Sequence, residues 1–318
     1  MAVPQTAPAV GRDGAIGLPG ATAMVSRWRA ALFPYALNLP AMVLLFGLVA
    51  YPVGLSFWVS LHRMNLRRPN VFPFVGLENY STALGSNEFL AALGVTLKFA
   101  AASVLLILAG ALALALLLHV ESKGRAVLRA LVLVPWAIPP IVNATVWQLI
   151  FDSHIGAFNG LLLQLGLIDH YRSWLTDPDI ALLVVILAHV WNHVPMATII
   201  LLAALQAIPR ELYEAAVVDQ ATRWRSFRHI TLPWLLRPII VVMILQTMAA
   251  LRAFDLFYVL TGGGPGNSTT VLAWLTYQIS FAYLNIGLGS AYSYVIMLIT
   301  FAVALFYIRG LYTRGELE

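Results

Sequence analysis

The sequence predicts an all-α integral membrane protein built as a bundle of six transmembrane helices, and three observations carry that prediction. Only 10% of its 318 residues are charged, whereas a soluble domain carries about 25%. Hydrophobic residues make up 60% of the chain, and mean hydropathy is +0.83. Six continuous apolar stretches, about 33–61, 91–118, 130–151, 180–205, 237–260 and 289–309, reach the ~20 residues that a helix needs to cross a hydrocarbon core. Barrel strands would instead alternate over short segments.

Composition and charge narrow the function. The chain has no cysteine, which excludes thiolate catalysis, disulfides and cysteine-based metal sites. Its net charge of +5 is read through the positive-inside rule rather than as a nucleic-acid footprint. With the N-terminus in the cytoplasm, thirteen Lys and Arg fall in inner segments and four (Arg63, Arg67, Arg68 and Arg172) in outer loops. That asymmetry places both termini inside.

Residues 1–30, rich in Ala, Gly and Pro, lack the apolar core of a cleavable signal peptide and read as a disordered cytoplasmic tail. Residues 31–318 read as one transmembrane domain. Span one ends near Leu61, and an outer loop of about 62–90 follows, where Pro69 and Pro73 oppose helix. Span two carries one charge, Lys98, near its outer end, where it snorkels to water. Span three opens with "VPWAIPP", in which Pro135, Pro139 and Pro140 each lack an N–H donor. Either the span is broken inside the membrane, which requires a protein or water-lined surround, or its helix begins at Pro139 after an interfacial turn. Span four contains "HVWNHVP". Span five runs into a Gly/Pro cluster that marks an outer turn, the loop 261–288 has no charge, and span six closes the chain.

Between spans four and five lies a charged insert, residues 206–233. Pro209 suits the start of a helix. On that helix Leu212, Ala215, Ala216 and Val217 fall near one face, with Glu211, Glu214 and Asp219 toward the other. A second short helix places Trp224, Phe227 and Ile230 at three-residue spacing and is expected to end at Pro233. Two such helices either lie on the membrane surface or dock into a groove on a soluble partner. The acidic first helix disfavours the negatively charged inner leaflet.

At these residues the chain resembles the permeases of ABC importers. "ELYEAAVVDQATRWRSFRHITLP" is similar to their EAA loop, with matches at Glu214, Ala215, Ala216, Asp219, Ala221, Phe227, Ile230, Leu232 and Pro233. The family's Gly, which permits the turn between the short helices, is Gln220 here, so the resemblance leaves that turn's geometry open. "GLENY", "LVLVPWAIPP", "AHVWNHVPMATIILLAALQAIP", "FDLFYVLTGGGP" and "GLGSA" resemble, in order, landmarks of the sugar-type permeases of binding-protein-dependent importers, over roughly 40–312. The resemblance implies the type I importer permease fold in a bacterial or archaeal plasma membrane. It also implies that the loop is a coupling helix fitting a groove on an ATPase, with Glu214 the principal contact and Ala215, Ala216, Asp219, Gln220, Ala221, Arg223 and Phe227 around it. Implied partners are a second homologous permease, two ATPase copies and an extracytoplasmic substrate-binding protein, with lipid around the bundle.

The chain has no G-x-x-x-x-G-K-[ST], so ATP and Mg²⁺ are expected on the ATPase, with no cofactor, no metal and no hydrolysis in this chain. Polar and aromatic groups within the spans are candidates for a solute path: Asn143, Trp147, Gln148, Asn192, His193, Gln246, Arg252, Asp255 and Tyr258. Arg252 and Asp255 are read as an i, i+3 pair on one helix, lining a hydrated path unless Arg252 snorkels to water. His189 and His193 share a face, but without a third ligand they read as interhelical hydrogen-bonding groups. Aromatic rings beside amides suit the apolar faces and hydroxyls of a sugar. The rival reading, a secondary transporter or channel working without an ATPase, predicts inverted repeats; none is visible.

Overall fold

Each long apolar stretch is helical in the computed structural model, which describes residues 21–120 and 123–315, with side chains for 33–120 and 123–309. Five helical segments are long and apolar enough to cross a membrane: Phe33–Ser60, Asn87–His119, Pro178–Gln206, Arg223–Leu251 and Ile286–Arg309. Two further helices, Arg125–Ala137 and Pro140–Ile150, are together long and apolar enough for a sixth crossing and are bent by 93° at their junction.

The chain divides into two compact units, residues 1–56 and 57–318. In the first, α1 (Ala21–Leu45) passes through a widened turn, Phe46–Ala50, into α2 (Tyr51–Ser60). Helix α1 starts ten residues inside the stretch read as a disordered tail, because Ala, Met, Arg and Leu dominate 21–32 and favour helix. Residues 1–20 of that expected tail lie outside the described residues.

In the second unit come α3 (Glu78–Gly85), α4 (Asn87–His119), α5 (Arg125–Ala137), α6 (Pro140–Ile150), α7 (Ala157–Gln164), α8 (Pro178–Gln206), α9 (Arg210–Val218) and α10 (Arg223–Ser226). They are followed by α11 (Leu232–Leu251), α12 (Asp255–Leu260), α13 (Leu272–Tyr277) and α14 (Ile286–Gly315). Helices α4 and α8 form the central pair. Ala111 and Ala115 face Ala197 and Leu201, and Leu235 and Val242 of α11 close the same cluster. Small residues let helices approach where lipid supplies no hydrophobic drive. A methyl group at Gly110 would sit 3.3 Å from Val194 Cγ2. Toward the other end of the pair, Phe99 and Val185 pack with Leu251, Phe257 and Trp274.

Two sequence landmarks meet at the loop after α2. Asn79 of "GLENY" donates from Nδ2 to the carbonyls of Ser60 (2.8 Å) and His62 (2.9 Å). Gly287 of "GLGSA" lies so close that a Cβ there would overlap the His62 carbonyl, and its N–H donates to Met64 O at 3.1 Å. Those landmarks therefore join the loop after α2 to the start of the last helix.

Two spans differ from expectation. The third breaks at Ile138–Pro139, and its second helix starts at Pro140, so break and proline-led start occur together. The fifth begins fourteen residues before the expected 237–260, since Arg223–Leu251 is one helical run. Pro233 does not end α10. It enters the first turn of α11 after a widened turn, Phe227–Thr231, in which the Leu232 N–H reaches Phe227 O. The wide turn absorbs the donor that proline lacks. At its other end the fifth span stops at Leu251, and α12 restarts at Asp255.

Candidate functional site

The insert folds as a two-helix elbow. Its inward stripe is Tyr213 and Ala216, both half-buried, and Val217 points outward at 75% exposure. That corrects the expected face of Leu212, Ala215, Ala216 and Val217. Tyr213 wins the inward position because its ring packs on the α4–α8–α11 cluster with Ile230, while its hydroxyl meets Thr231 Oγ1 at 2.8 Å. Outward stand Glu211, Glu214, Ala215, Asp219 and Arg223, beside Val217, Val218 (82%) and Trp224 (69%). Trp224 stacks on the half-buried Phe227 at 5.6 Å.

The turn left open by Gln220 keeps the glycine conformation. Gln220 has φ +54°. Its N–H donates to Val217 O at 3.0 Å, and the N–H of Ala221 donates to Ala216 O at 2.9 Å. This paired closure caps the carbonyls of α9, with a side chain held where L-residues are strained.

A second site lies where the two broken spans meet. A cavity of about 150 Å³ is lined by Pro140 and Asn143 at the start of α6, His189, Asn192 and His193 of α8, and the α11–α12 junction with Arg252 and Asp255. The α5–α6 break has a specific chemistry. In a continuous helix the Pro135 carbonyl would accept from residue 139, but Pro139 has no N–H. Asn192 Nδ2 donates to Pro135 O at 2.6 Å and to Ile138 O at 3.3 Å. Asn143 Nδ2 donates to Ala188 O at 3.2 Å, while Asn143 Oδ1 and His189 Nε2 are buried without partners among the described residues. Unmet polar atoms are costly in hydrocarbon, so a polar interior is the stable setting for them.

The α11–α12 junction closes on its own backbone. The N–H groups of Arg252 and Ala253 donate to Ala249 O (3.3 Å) and Ala250 O (3.1 Å). Arg252 Nε donates to Met248 O at 3.1 Å, and among the described residues no ion pair joins it to Asp255. The expected i, i+3 pair is thus replaced by two charges on either side of a helix end. His193 stacks on His189 with ring centres 3.8 Å apart, and its Nδ1 lies 2.9 Å from His189 O. No group of three potential metal ligands occurs among the described residues.

Of the nine path residues, Asn143, Asn192, His193, Arg252 and Asp255 line this cavity. Gln246 does not; it is buried at 4% exposure with Oε1 unpartnered. Trp147 packs between Phe151 and Trp191. Gln148 lines a separate recess of about 360 Å³ with Asp152, Thr261 and Pro265. In that loop Asp152 accepts the N–H groups of His154 and Ile155, which hold its carboxyl below the usual range. Tyr258, half exposed, belongs to an aromatic wall with Phe254, Trp274 and Tyr277. Sequence reasoning passed over Trp274, Tyr277 and Phe281, whose i, i+3, i+7 spacing was the available signal.

Residues 106–315 match the family model described as "Binding-protein-dependent transport system inner membrane component". The trehalose/maltose transport system permease protein MalF of Thermococcus litoralis is 41% identical over 286 residues, spanning 89% of this chain and 95% of that protein. The trehalose transport system permease protein SugA of Mycobacterium tuberculosis is 36% identical over 293 residues, 91% of this chain and 93% of that protein. Among solved structures, a chain of a bacterial ABC transporter involved in alginate import superposes with a TM-score of 0.78 at 23% identity, covering 90% of this chain and 97% of that one. A second alginate transporter structure, in complex with a periplasmic protein bound to alginate pentasaccharide, gives 0.75 at 23% identity, covering 90% and 94%. These two likenesses speak to the fold.

Proposed function

Because the chain belongs to the family of binding-protein-dependent transport system inner membrane components, we propose that it forms half of the membrane path of an ATP-driven importer for a carbohydrate, with trehalose- and maltose-like disaccharides as first candidates. The observation that carries this reading is the elbow. It is fastened to the bundle through Tyr213 and Ile230 and presents Glu214, Val217, Val218 and Trp224 outward. Exposed aromatic and aliphatic groups around a carboxylate form a docking face. On this reading the face seats in a cytoplasmic ATPase, which binds ATP and Mg²⁺ and performs hydrolysis. A second permease completes the path, an extracytoplasmic binding protein delivers solute, and both termini lie in the cytoplasm.

The carbohydrate class is supported by the trehalose and maltose permeases among the relatives, and by amide, imidazole and guanidinium groups around a polar cavity beside an aromatic wall. Such groups match hydroxyls and apolar sugar faces. The test is reconstitution of the four-part transporter in liposomes. Trehalose or maltose with the binding protein should stimulate ATPase activity and uptake. Glu214→Lys should abolish both while the chain still reaches the membrane. Wild-type uptake by that variant would refute the coupling role.

A further inference from the structure

A disaccharide needs more room than the central cavity gives. At about 150 Å³, that cavity is smaller than the ~300 Å³ of a pocket that encloses a small ligand. Phe254 lines it and also lines a second recess of about 350 Å³. This groove runs between α13, the widened turn Gln278–Ala282 that follows it, and the first turns of α14. Part of its wall is aromatic. The Tyr277 ring centre lies 5.1 Å from that of Phe254 and 5.2 Å from that of Phe281. The rest of the lining carries the aliphatic hydroxyls of Thr276, Ser280, Ser290 and Ser293 and no charged side chain.

The hydroxyls have a defined polarity. Thr276 donates to Leu272 O (2.8 Å), Ser280 to Thr276 O (2.7 Å) and Ser293 to Gly289 O (3.1 Å). Each proton is held by its own helix, so each oxygen keeps lone pairs for the O–H of a guest. Gly289 lets α14 approach Ser280, because a Cβ there would overlap Ser280 Oγ. Ser290 lines the groove at 9% exposure, and its hydroxyl makes no hydrogen bond among the described residues. A hydroxyl so enclosed requires a partner from outside the chain. We propose that this groove holds the second ring of a neutral disaccharide whose first ring enters the central cavity, with Phe254 as the wall they share. The proposal rests on the reading that the chain carries a carbohydrate. The ring's apolar face packs on Tyr277 and Phe281, its hydroxyls donate to Thr276, Ser280 and Ser293, and Ser290 both donates and accepts. A sugar acid or phosphorylated sugar would leave its anion uncompensated in this lining. An apolar helix of a second permease, with its backbone donors already engaged, would leave the hydroxyl oxygens and Ser290 unanswered.

The test uses the assembled transporter, with partner permease and ATPases. Equilibrium binding of radiolabelled trehalose and maltose is measured without the binding protein, with glucose as the one-ring probe. Uptake with the binding protein is recorded in parallel in liposomes. Phe281 is 62% exposed, so a folding defect is not expected on replacing it. Phe281→Leu should weaken disaccharide binding about fivefold, the equivalent of ~1 kcal/mol for one stacked ring, and leave glucose binding unchanged. Phe281→Tyr keeps the ring face and should bind disaccharide as wild type does. Ser290→Val, which removes the free hydroxyl, should also weaken disaccharide binding and spare glucose. Equal disaccharide binding by wild type, Phe281→Leu and Ser290→Val overturns the proposal, as does an absence of disaccharide binding by wild type. Equal losses for glucose and disaccharide overturn it too, because the groove then holds no second ring. Loss of the second permease from either variant, read by native mass spectrometry, shows the groove to be a subunit seat and likewise overturns it. Wild-type uptake tests the carbohydrate reading separately. Uptake of trehalose or maltose with binding unaltered in the variants leaves that reading standing while this one falls.

Discussion

In the third span, Pro135, Pro139 and Pro140 remove backbone donors; the Ile138 N–H closes back on Pro135 O at 3.3 Å, and Asn192 adds donors from another helix. In the fifth span no proline intervenes at the break, and the chain closes through i→i−3 bonds at Arg252 and Ala253 before α12 restarts at Asp255. The first break is fixed by covalent structure, because no rearrangement gives proline an N–H. The second rests on conformation alone, since every residue from Arg252 to Asp255 can donate to a carbonyl four residues back. Both open on the same cavity. One wall is therefore permanent and the other is free to change, an arrangement suited to alternating access around a fixed site.

The strongest way to break this comparison is at Asn192. Asn192→Asp keeps the shape and removes the donor, leaving the Pro135 and Ile138 carbonyls without it. Loss of about 2 kcal/mol is expected, read as a fall of several degrees in the unfolding temperature of the complex in detergent. Adding Pro139→Ala returns an N–H opposite the Pro135 carbonyl and should recover about half of that loss, a coupling of ~1 kcal/mol. Simple addition of the two single effects would remove Asn192 from its role as substitute donor.

Next in size is the contrast in mobility. The chain has no native cysteine, so single cysteines report cleanly in an otherwise cysteine-free complex. Ala253→Cys and Asp255→Cys should change their rate with a hydrophilic maleimide about tenfold between nucleotide-free and ATP-trapped states, whereas Asn143→Cys should change less than about twofold. Equal responses at the two breaks would erase the distinction.

The smallest effect belongs to the end of α9, which closes through an i→i−3 bond made by a left-handed residue. Gln220 holds φ +54° to close α9. Gln220→Gly removes that strain and should stabilise the chain by about 1 kcal/mol, a rise of a few degrees in the same unfolding assay. No rise would mean that the glutamine side chain makes compensating contacts.

These differences also explain what the sequence made legible. The five long apolar helices and the bent pair followed from apolar run length, because the bilayer imposes that length directly. The third break was legible because the effects of proline are local. The fifth was not: "LRAFDLF" contains no breaker, and the end at Leu251 comes from packing of Leu251, Leu256 and Phe257 on α4 and α8. The inward face of the elbow was misassigned for a related reason. Val217 reads as core by hydrophobicity, but an exposed valine looks the same in sequence as a buried one. Asn192 stood out as a polar residue in a span, yet its bonds to the Pro135 and Ile138 carbonyls required knowing that α5 and α8 are neighbours.

The widened turn at Phe227–Thr231 has one more mechanical result. Because Pro233 is accommodated there, the residues from Arg223 to Leu251 form a single run of 29, a rod about 43 Å long at 1.5 Å per residue. A tilt of about 5° around its middle displaces each tip by roughly 2 Å. Torque applied beside Trp224 is thus carried toward Arg252 along one helical run, with the widened turn and Pro238 as its points of bending, and the far tip of the lever is the wall able to yield.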